Sequence, residues 1–379
     1  MSRINTPHRR TIIKAVLVVA LSVALAVVAG CSWFGESSKS SGKVVVKASP
    51  AKPVTCPLCG LVPADPTFIK RRPIAVKIEN DPAARPQSGL DHAEVVYEEE
   101  CEGGVTRFIA VFLDRDVPVV GPVRSARPAD IELAFPYNAL FCHCGGGDPI
   151  LVMVRQSGIA DMDEQHFGGA YWRSHDRRAP HNLYSSTARL RQAGDLAYPC
   201  QGQAGPAFKF LTDKEQAKME QDRADEIKRI KANQANPKPG FQPTVTVVHN
   251  VHIPYQPICV VDYAYDSTSG RFMRFERGVP HIDKNTGDQL AADTVIVQYV
   301  TTTPSGLVDV NGADTPNLGV IGSGRAQVFV RGRLIDANWQ KTSRATYTVY
   351  TDNSGKVIPV KPGTTWVELV PTTRQVTFN

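Results

Sequence analysis

The 379-residue chain carries no acidic side chain in its first thirty positions, and its longest uncharged apolar stretch is too short to cross a bilayer. No Gly-Lys-Ser/Thr closes a phosphate loop, no Gly-x-Gly-x-x-Gly marks a dinucleotide turn, and no Gly-x-Ser-x-Gly elbow presents a nucleophile. These absences weigh against a nucleotide-dependent enzyme and a Ser-His-Asp hydrolase, although Ser125, His181 and Asp148 are all present. The Gly145-Gly-Gly147 run reads as a tight turn. Eight cysteines are too few for a disulfide scaffold, and Cys56-x-x-Cys59 has no second Cys-x-x-Cys to complete a four-ligand metal knuckle. No internal repeat is evident.

The missing acid points to what is present. Arg3, Arg9, Arg10 and Lys14 precede a run from Ala15 to Ala29 that is apolar except at Ser22 and ends in Val28-Ala29-Gly30-Cys31. A basic segment, a short apolar segment and small residues form an export signal. The Gly-Cys junction resembles a bacterial lipobox, so residues 1–30 are expected to be removed and Cys31 to take a diacylglyceryl group. The product would be lipid-anchored on the extracytoplasmic face of the cell membrane, with palmitate-type chains as its hold. The net charge of +6 falls to 39 basic against 37 acidic residues once the signal is gone. That argues against nucleic acid as a partner.

Residues 31–70 read as a Ser-rich and then Pro-punctuated tether containing the Cys-x-x-Cys. Residues 71–211 read as a mixed α/β first domain. Strands are expected at Ile74–Ile78, Glu94–Tyr97 and Thr106–Leu113, a short helix begins near Pro128, and a strand from Phe141 runs into the glycines. Residues 212–240 read as an exposed, charge-laced connecting helix anchored by Ile227 and Ile230, ended by Pro and Gly. Residues 241–379 read as a β-dominated second domain. Its strands are expected at Thr244–Val248, Ile258–Tyr265, Thr294–Val300, Gln327–Val330, Thr346–Tyr350 and Trp366–Leu369. The fold class is therefore α+β.

Unusual polar groups concentrate in the first domain. Arg107, Arg124, Arg127, Arg173, Arg177 and Arg178 lie in Gly/Pro-framed segments together with Glu102, His143, Asp148, His175, His181, Asn182 and Tyr184. Guanidinium forks suit carboxylate and phosphate oxygens, and imidazole moves protons near neutral pH. One reading has Arg124, Arg127 and Arg178 hold an anionic group while His181 and His143 hydrogen-bond or transfer protons. The other pairs Arg124 and Arg127 with Asp130, Glu102 or Glu132 as structural ion pairs and lets His181-Asn182 cap a turn. The cysteines leave three readings open: disulfides, buried thiols, or zinc held by Cys56 and Cys59 with Cys142 and Cys144. Strand alternation would point Cys142 and Cys144 together and His143 away. Tyr263, Tyr265, Trp339, Tyr350 and Trp366 form either a carbohydrate platform or core and cross-strand contacts.

Several motifs in order carry a resemblance over most of residues 71–379. They are Arg72-Pro-Ile-Ala-Val, Ala84-Arg-Pro-Gln-Ser-Gly-Leu90, Glu102-Gly-Gly-Val-Thr-Arg-Phe108, Gly121-Pro-Val-Arg-Ser-Ala-Arg-Pro128 and Arg178-Ala-Pro-His-Asn-Leu-Tyr184. Gly322-Ser-Gly324, Trp339-Gln-Lys and Pro362-Gly-Thr-Thr-Trp-Val367 follow. Together they resemble the YerB-type bacterial lipoproteins, a two-domain family of uncharacterised function. The resemblance implies a surface lipoprotein of two domains and supplies no activity. The chain departs from the family pattern at Cys142-His-Cys144-Gly-Gly, where a His-x-Gly-Gly-like strand end without the two cysteines is expected.

The expectation is a cell-surface lipoprotein that binds an anionic cell-wall polymer or an envelope protein through the Arg/His-rich segments, with no cofactor unless zinc occupies the cysteines. The competing expectation is an extracytoplasmic hydrolase or transferase acting on envelope glycan or phosphodiester, with His181 as acid/base and Arg124 and Arg127 stabilising charge.

Overall fold

Ile74–Glu79 (β1) pairs antiparallel with Thr106–Phe112, which in turn pairs antiparallel with Val95–Glu100 (β2), making Thr106–Phe112 the third strand in chain order (β3). Leu140–His143 (β4) lies parallel to β1, and Ala160–Asp163 (β5) parallel to β4. These positions belong to a computed structural model that describes residues 53–199, 204–309 and 312–379. The export segment 1–30, Cys31, the tether through residue 52 and Cys200 lie outside the described residues.

The fold is α+β, with a mixed sheet in the first part of the chain and strands dominating the second. Strands of the second part extend the same sheet. Thr365–Pro371 runs parallel to β2, with Val95 opposite Thr365 and Glu99 opposite Leu369, and Thr294–Val300 runs parallel to it on its other side. Gly322–Val330, Arg333–Lys341 and Val349–Thr351 continue outward antiparallel. The ladder thus crosses from residues before the charged helix to residues after it.

Both faces of this sheet are covered. Ile74, Val76, Ile78, Phe108, Ala110 and Phe112 enter one core, and Ala75, Ile109 and Val111 the other. A sheet buried on both sides reads as continuous apolar runs rather than as alternation. Helices Pro128–Ala134 (α1) and Asp148–Ser157 (α2) bring Ala129, Ile131, Leu133, Ile150 and Val154 to the Ala75 side. Thr187–Ala197 (α3) covers the opposite side with Leu190. Gly194 is what lets α3 approach, since a Cβ there would stand 2.3 Å from Leu140 Cδ1. On that same opposite side lies a smaller sheet built on Asn250–Gln256, Cys259–Asp266 and Arg271–Glu276.

The charged segment forms the helix Asp213–Ala235 (α4), started by a capping box between Thr212 and Glu215. Its anchors differ from the expected pair. Ile227 and Ile230 are only half-buried, whereas Arg223 and Glu226 are buried. Arg223 stacks on Tyr265 at 4.6 Å, Arg331 donates to Gln216 at 2.8 Å, and Glu226 accepts from Thr244 N at 3.2 Å. An apolar count misses this docking because polar contacts make it. Tyr263, Trp339, Tyr350 and Trp366 are buried, so they are core residues and form no exposed platform.

Candidate functional site

The site begins with β2. Three consecutive glutamates end that strand, and successive side chains of a strand point to opposite faces. Glu99 therefore shares the Ala75 face with Lys77 and Glu79, and the register places Arg107 opposite both Glu79 and Glu99. Lys77, fully buried, bonds to Glu99 and to Asp130, the latter at 2.6 Å. Burial and the nearby Asp130 charge push the Glu99 carboxyl up to about 8 against the pull of Lys77. The strand was expected to stop at Tyr97. It continues through Glu98 and Glu99, each of which meets a buried cation, to Glu100, which lies 3.6 Å from the more exposed Arg374.

Arg107, Arg124 and Arg127 do converge. With Glu102, Ser125, Gly146, Gly147 and Thr315 they line a pocket of about 310 Å3. The Arg124–Arg127 segment is pinned on both sides. Arg124 N donates to Lys77 O at 2.9 Å, while Cys144 N donates to Arg124 O at 3.0 Å and Ala126 N to Gly145 O at 2.9 Å. Arg127 meets Glu102 as a fork, Nη2 donating to Oε2 at 2.6 Å with Nε 2.5 Å from Oε1. Arg107 donates from Nη1 to Ser125 O at 3.0 Å, and its Nη2 lies 3.7 Å from Glu102. Thr315 also donates to Glu102. Burial would raise the Glu102 carboxyl, but Arg127 and Arg107 outweigh it and hold the group down at about 2.

Arg124 is the most open of the three. Its Nε donates to Glu79 Oε1 at 2.8 Å, and His181 Nδ1 meets the other oxygen of that carboxylate at 3.0 Å. Glu79 thus joins the RSARP and RAPHNLY segments from the end of β1. The pairings expected with Asp130 and Glu132 resolve differently. Asp130 accepts from the backbone N of Arg127 and from Lys77, and Glu132 pairs with Arg344.

The remaining residues are placed elsewhere. His143 is fully buried, with Nδ1 3.0 Å from Gly145 O and Nε2 2.8 Å from Asp161. Asp148 is exposed at the first position of α2, and Arg178 is exposed in its loop. Asn182 bridges Ser174 O and Arg173, and the Tyr184 hydroxyl accepts from Arg177 at 2.7 Å. Neither Asn182 nor Tyr184 lines the pocket, because both hold the loop that delivers His181. The cysteine grouping is also corrected. Cys56, Cys59, Cys101, Cys142, Cys144 and Cys259 are thiols, and the Cys142 and Cys144 sulfurs turn to Leu140 O and Glu164, apart from Cys56 and Cys59. Cys56 and Cys59 instead group with Asp114.

A second buried polar assembly went unseen in the sequence. Glu98, on the face opposite Glu99, meets fully buried Arg274 at 2.7 Å, and Glu276 and Glu368 each lie 3.1 Å from the same guanidinium. Tyr263 donates to Glu368 at 2.5 Å, and His281 Nδ1 accepts from Arg274 Nε at 3.0 Å. Burial pushes Glu276 up to about 7 despite Arg274, and it pushes His281 well below its usual range. The alternation Arg271-Phe-Met-Arg274-Phe-Glu276 was the available signal. A polar residue at every other or third position of a strand gains a buried partner only when a second sheet covers it. The assembly borders a groove of about 510 Å3 lined by Arg85, Pro86, Glu276, Val279, Pro280 and His281.

With the geometry established, comparison with known proteins places the chain. Residues 58–236 match the family model described as protein of unknown function (DUF3048) N-terminal domain, and residues 251–367 match its C-terminal counterpart. The chain belongs to the DUF3048 family. It is 29% identical over 327 residues to the Bacillus subtilis (strain 168) protein named "Putative lipoprotein YerB", covering 85% of this chain and 87% of that one. The crystal structure of YerB from Bacillus subtilis matches with a TM-score of 0.70 at 26% identity, covering 86% of this chain and 99% of the other. The resemblance seen in the motifs is thereby established. Among the described residues no helix is long and apolar enough to cross a membrane.

Proposed function

We propose that this DUF3048 member is an extracytoplasmic lipoprotein, anchored through Cys31, whose Arg107–Arg124–Arg127 pocket binds an anionic group of an envelope polymer. The observation carrying this reading is the convergence of three guanidiniums, one from β3 and two from the Arg124–Arg127 segment, on one pocket edged by the glycines that precede α2. Glu102 offsets Arg127 and part of Arg107, and Glu79 holds Arg124 through Nε, so the remaining nitrogens of Arg124, the most exposed of the three, are what a ligand would meet. The lipobox and the name of the Bacillus relative support the anchor.

Titration calorimetry with inorganic polyphosphate at low ionic strength tests the pocket. Arg124→Ala should weaken binding about tenfold or more, a loss of ~1.4 kcal/mol, read well below the melting temperature of the variant, which also loses the Arg124–Glu79 pair. Equal affinity of variant and wild type would reject the pocket. Metabolic labelling with a fatty acid should mark the wild type and leave Cys31→Ser unlabelled.

One observation favours the hydrolase or transferase reading in its turn. His181 is partly exposed with Nδ1 held 3.0 Å from the buried Glu79 carboxylate, the kind of pairing that fixes an imidazole for acid/base work. Product release from a wall polymer, abolished by His181→Ala with binding retained, would select catalysis over binding alone.

A further inference from the structure

We propose that Cys56, Cys59 and Asp114 form a site for a soft divalent cation of the zinc class, which staples the membrane-proximal start of the fold to the end of β3. The Sγ atoms of both cysteines and a carboxylate oxygen of Asp114 lie within 4.8 Å of one another, and all three residues are buried. The Cys-Pro-x-Cys-Gly turn is already closed. Gly60 N donates to Cys56 O at 2.8 Å and Cys56 N to Leu61 O at 2.7 Å, with Gly60 at φ +71° allowing the bend. A loop that presents two sulfurs to one point is the usual way a chain offers a metal a pair of ligands.

Asp114 supplies the independent observation. Its side chain is 4% exposed, yet Oδ1 has no hydrogen-bond partner. The Glu94 carboxyl faces Asp114, and Arg115 Nε lies 3.7 Å from Oδ1, beyond hydrogen-bond length. An unbonded buried carboxylate oxygen is costly, and a cation at the sulfur pair would satisfy it. Glu94 holds this arrangement as a positioning residue, accepting from the backbone N–H groups of Leu113, Asp114 and Arg115 at 2.9, 3.1 and 3.2 Å.

Chemistry selects the ion. Two thiolates and the Asp114 carboxylate attract a divalent cation, while the Arg115 guanidinium stands between Asp114 and Glu94. Binding releases the two thiol protons to solvent. Sulfur donors choose zinc-class ions over magnesium or calcium, which take oxygen. Burial of both sulfurs also excludes thiol exchange with a partner protein, since neither can be attacked. The staple would have two arms beyond Asp114. Gly363 N donates to Cys59 O at 2.8 Å and Ala207 N to Pro57 O at 3.1 Å, so the turn also holds the segments following α3 and preceding Thr365–Pro371.

The test uses the full chain in detergent, purified without chelator. Elemental analysis should find one equivalent of zinc. Cobalt(II) added to the reduced, metal-stripped protein should give a sulfur-to-cobalt charge-transfer band. Cys59→Ser should abolish the band, Asp114→Ala should weaken cobalt affinity about tenfold or more, and Cys144→Ser should leave both measurements unchanged. Should Cys59→Ser fail to fold, the Asp114→Ala and Cys144→Ser comparison decides alone. Absence of zinc together with absence of the cobalt band overturns the proposal. So does thiol titration under denaturing conditions showing Cys56 and Cys59 joined as a disulfide, or loss of metal in Cys144→Ser.

Discussion

Replacing Arg274 by Met tests whether the two sheets are held by charge as well as by apolar burial. The guanidinium is fully buried against Glu98, Glu276 and Glu368 and stands 4.5 Å from the Trp366 ring. Met keeps the length of the side chain and most of its apolar contact, so the change isolates the charge. Removing one partner of a buried ion network costs about 3–5 kcal/mol, because the carboxylates left behind are desolvated without compensation. Unfolding entropy is about 2.1 cal/mol/K per residue. For the compact unit from Lys52 to Asn379 the melting temperature at pH 7.5 should therefore fall by roughly 4–7 °C. The deficit should shrink at pH 5, where the orphaned carboxyls take up protons. Adding Glu98→Gln should recover part of it at pH 7.5. Calorimetric scans at both pH values measure this. A loss below about 1 °C at pH 7.5, or an equal loss at pH 5, would refute the argument.

Two further outcomes follow from the same geometry. Glu276, raised to about 7, keeps in the folded state a proton that the unfolded chain has lost, so its share of stability is present below about pH 4.5 and is lost as pH rises through 7. Glu102, lowered to about 2, acts oppositely: its share is present above about pH 4.5 and is lost as pH falls toward 2. Melting temperatures from pH 3 to 8 should show Glu276→Gln gaining on wild type toward the alkaline end and Glu102→Gln converging with wild type at the acid end; parallel curves would contradict the assignment. Gly121→Ala should destabilise by about 1–3 kcal/mol in a denaturant titration, because φ is +141° and the added Cβ would stand 2.8 Å from the backbone oxygen of Leu183.

The sequence alone determined the elements whose signals are local. Thr294–Val300 formed as read, the helix after Thr212 began at its capping box, and the family motifs depend on adjacent residues only. Of the expected trio Arg124, Arg127 and Arg178, the first two share the pocket because one tight motif carries both, whereas Arg178 is exposed in its loop and Arg107 lines the pocket instead. What the sequence could not decide was which acid each cation would meet. Glu79 serves both Arg124 and His181, and Glu102 serves Arg127 and Arg107, through contacts anywhere from 5 to 102 positions apart. Charge along a chain carries no information about such pairing. A buried ion acquires its partner only when the ladder fixes register and a second layer removes water. For the same reason Glu98 and Glu99 of β2 resembled a strand end until Lys77 of the same sheet and Arg274 of the smaller sheet, meeting β2 from opposite faces, made them part of the interior.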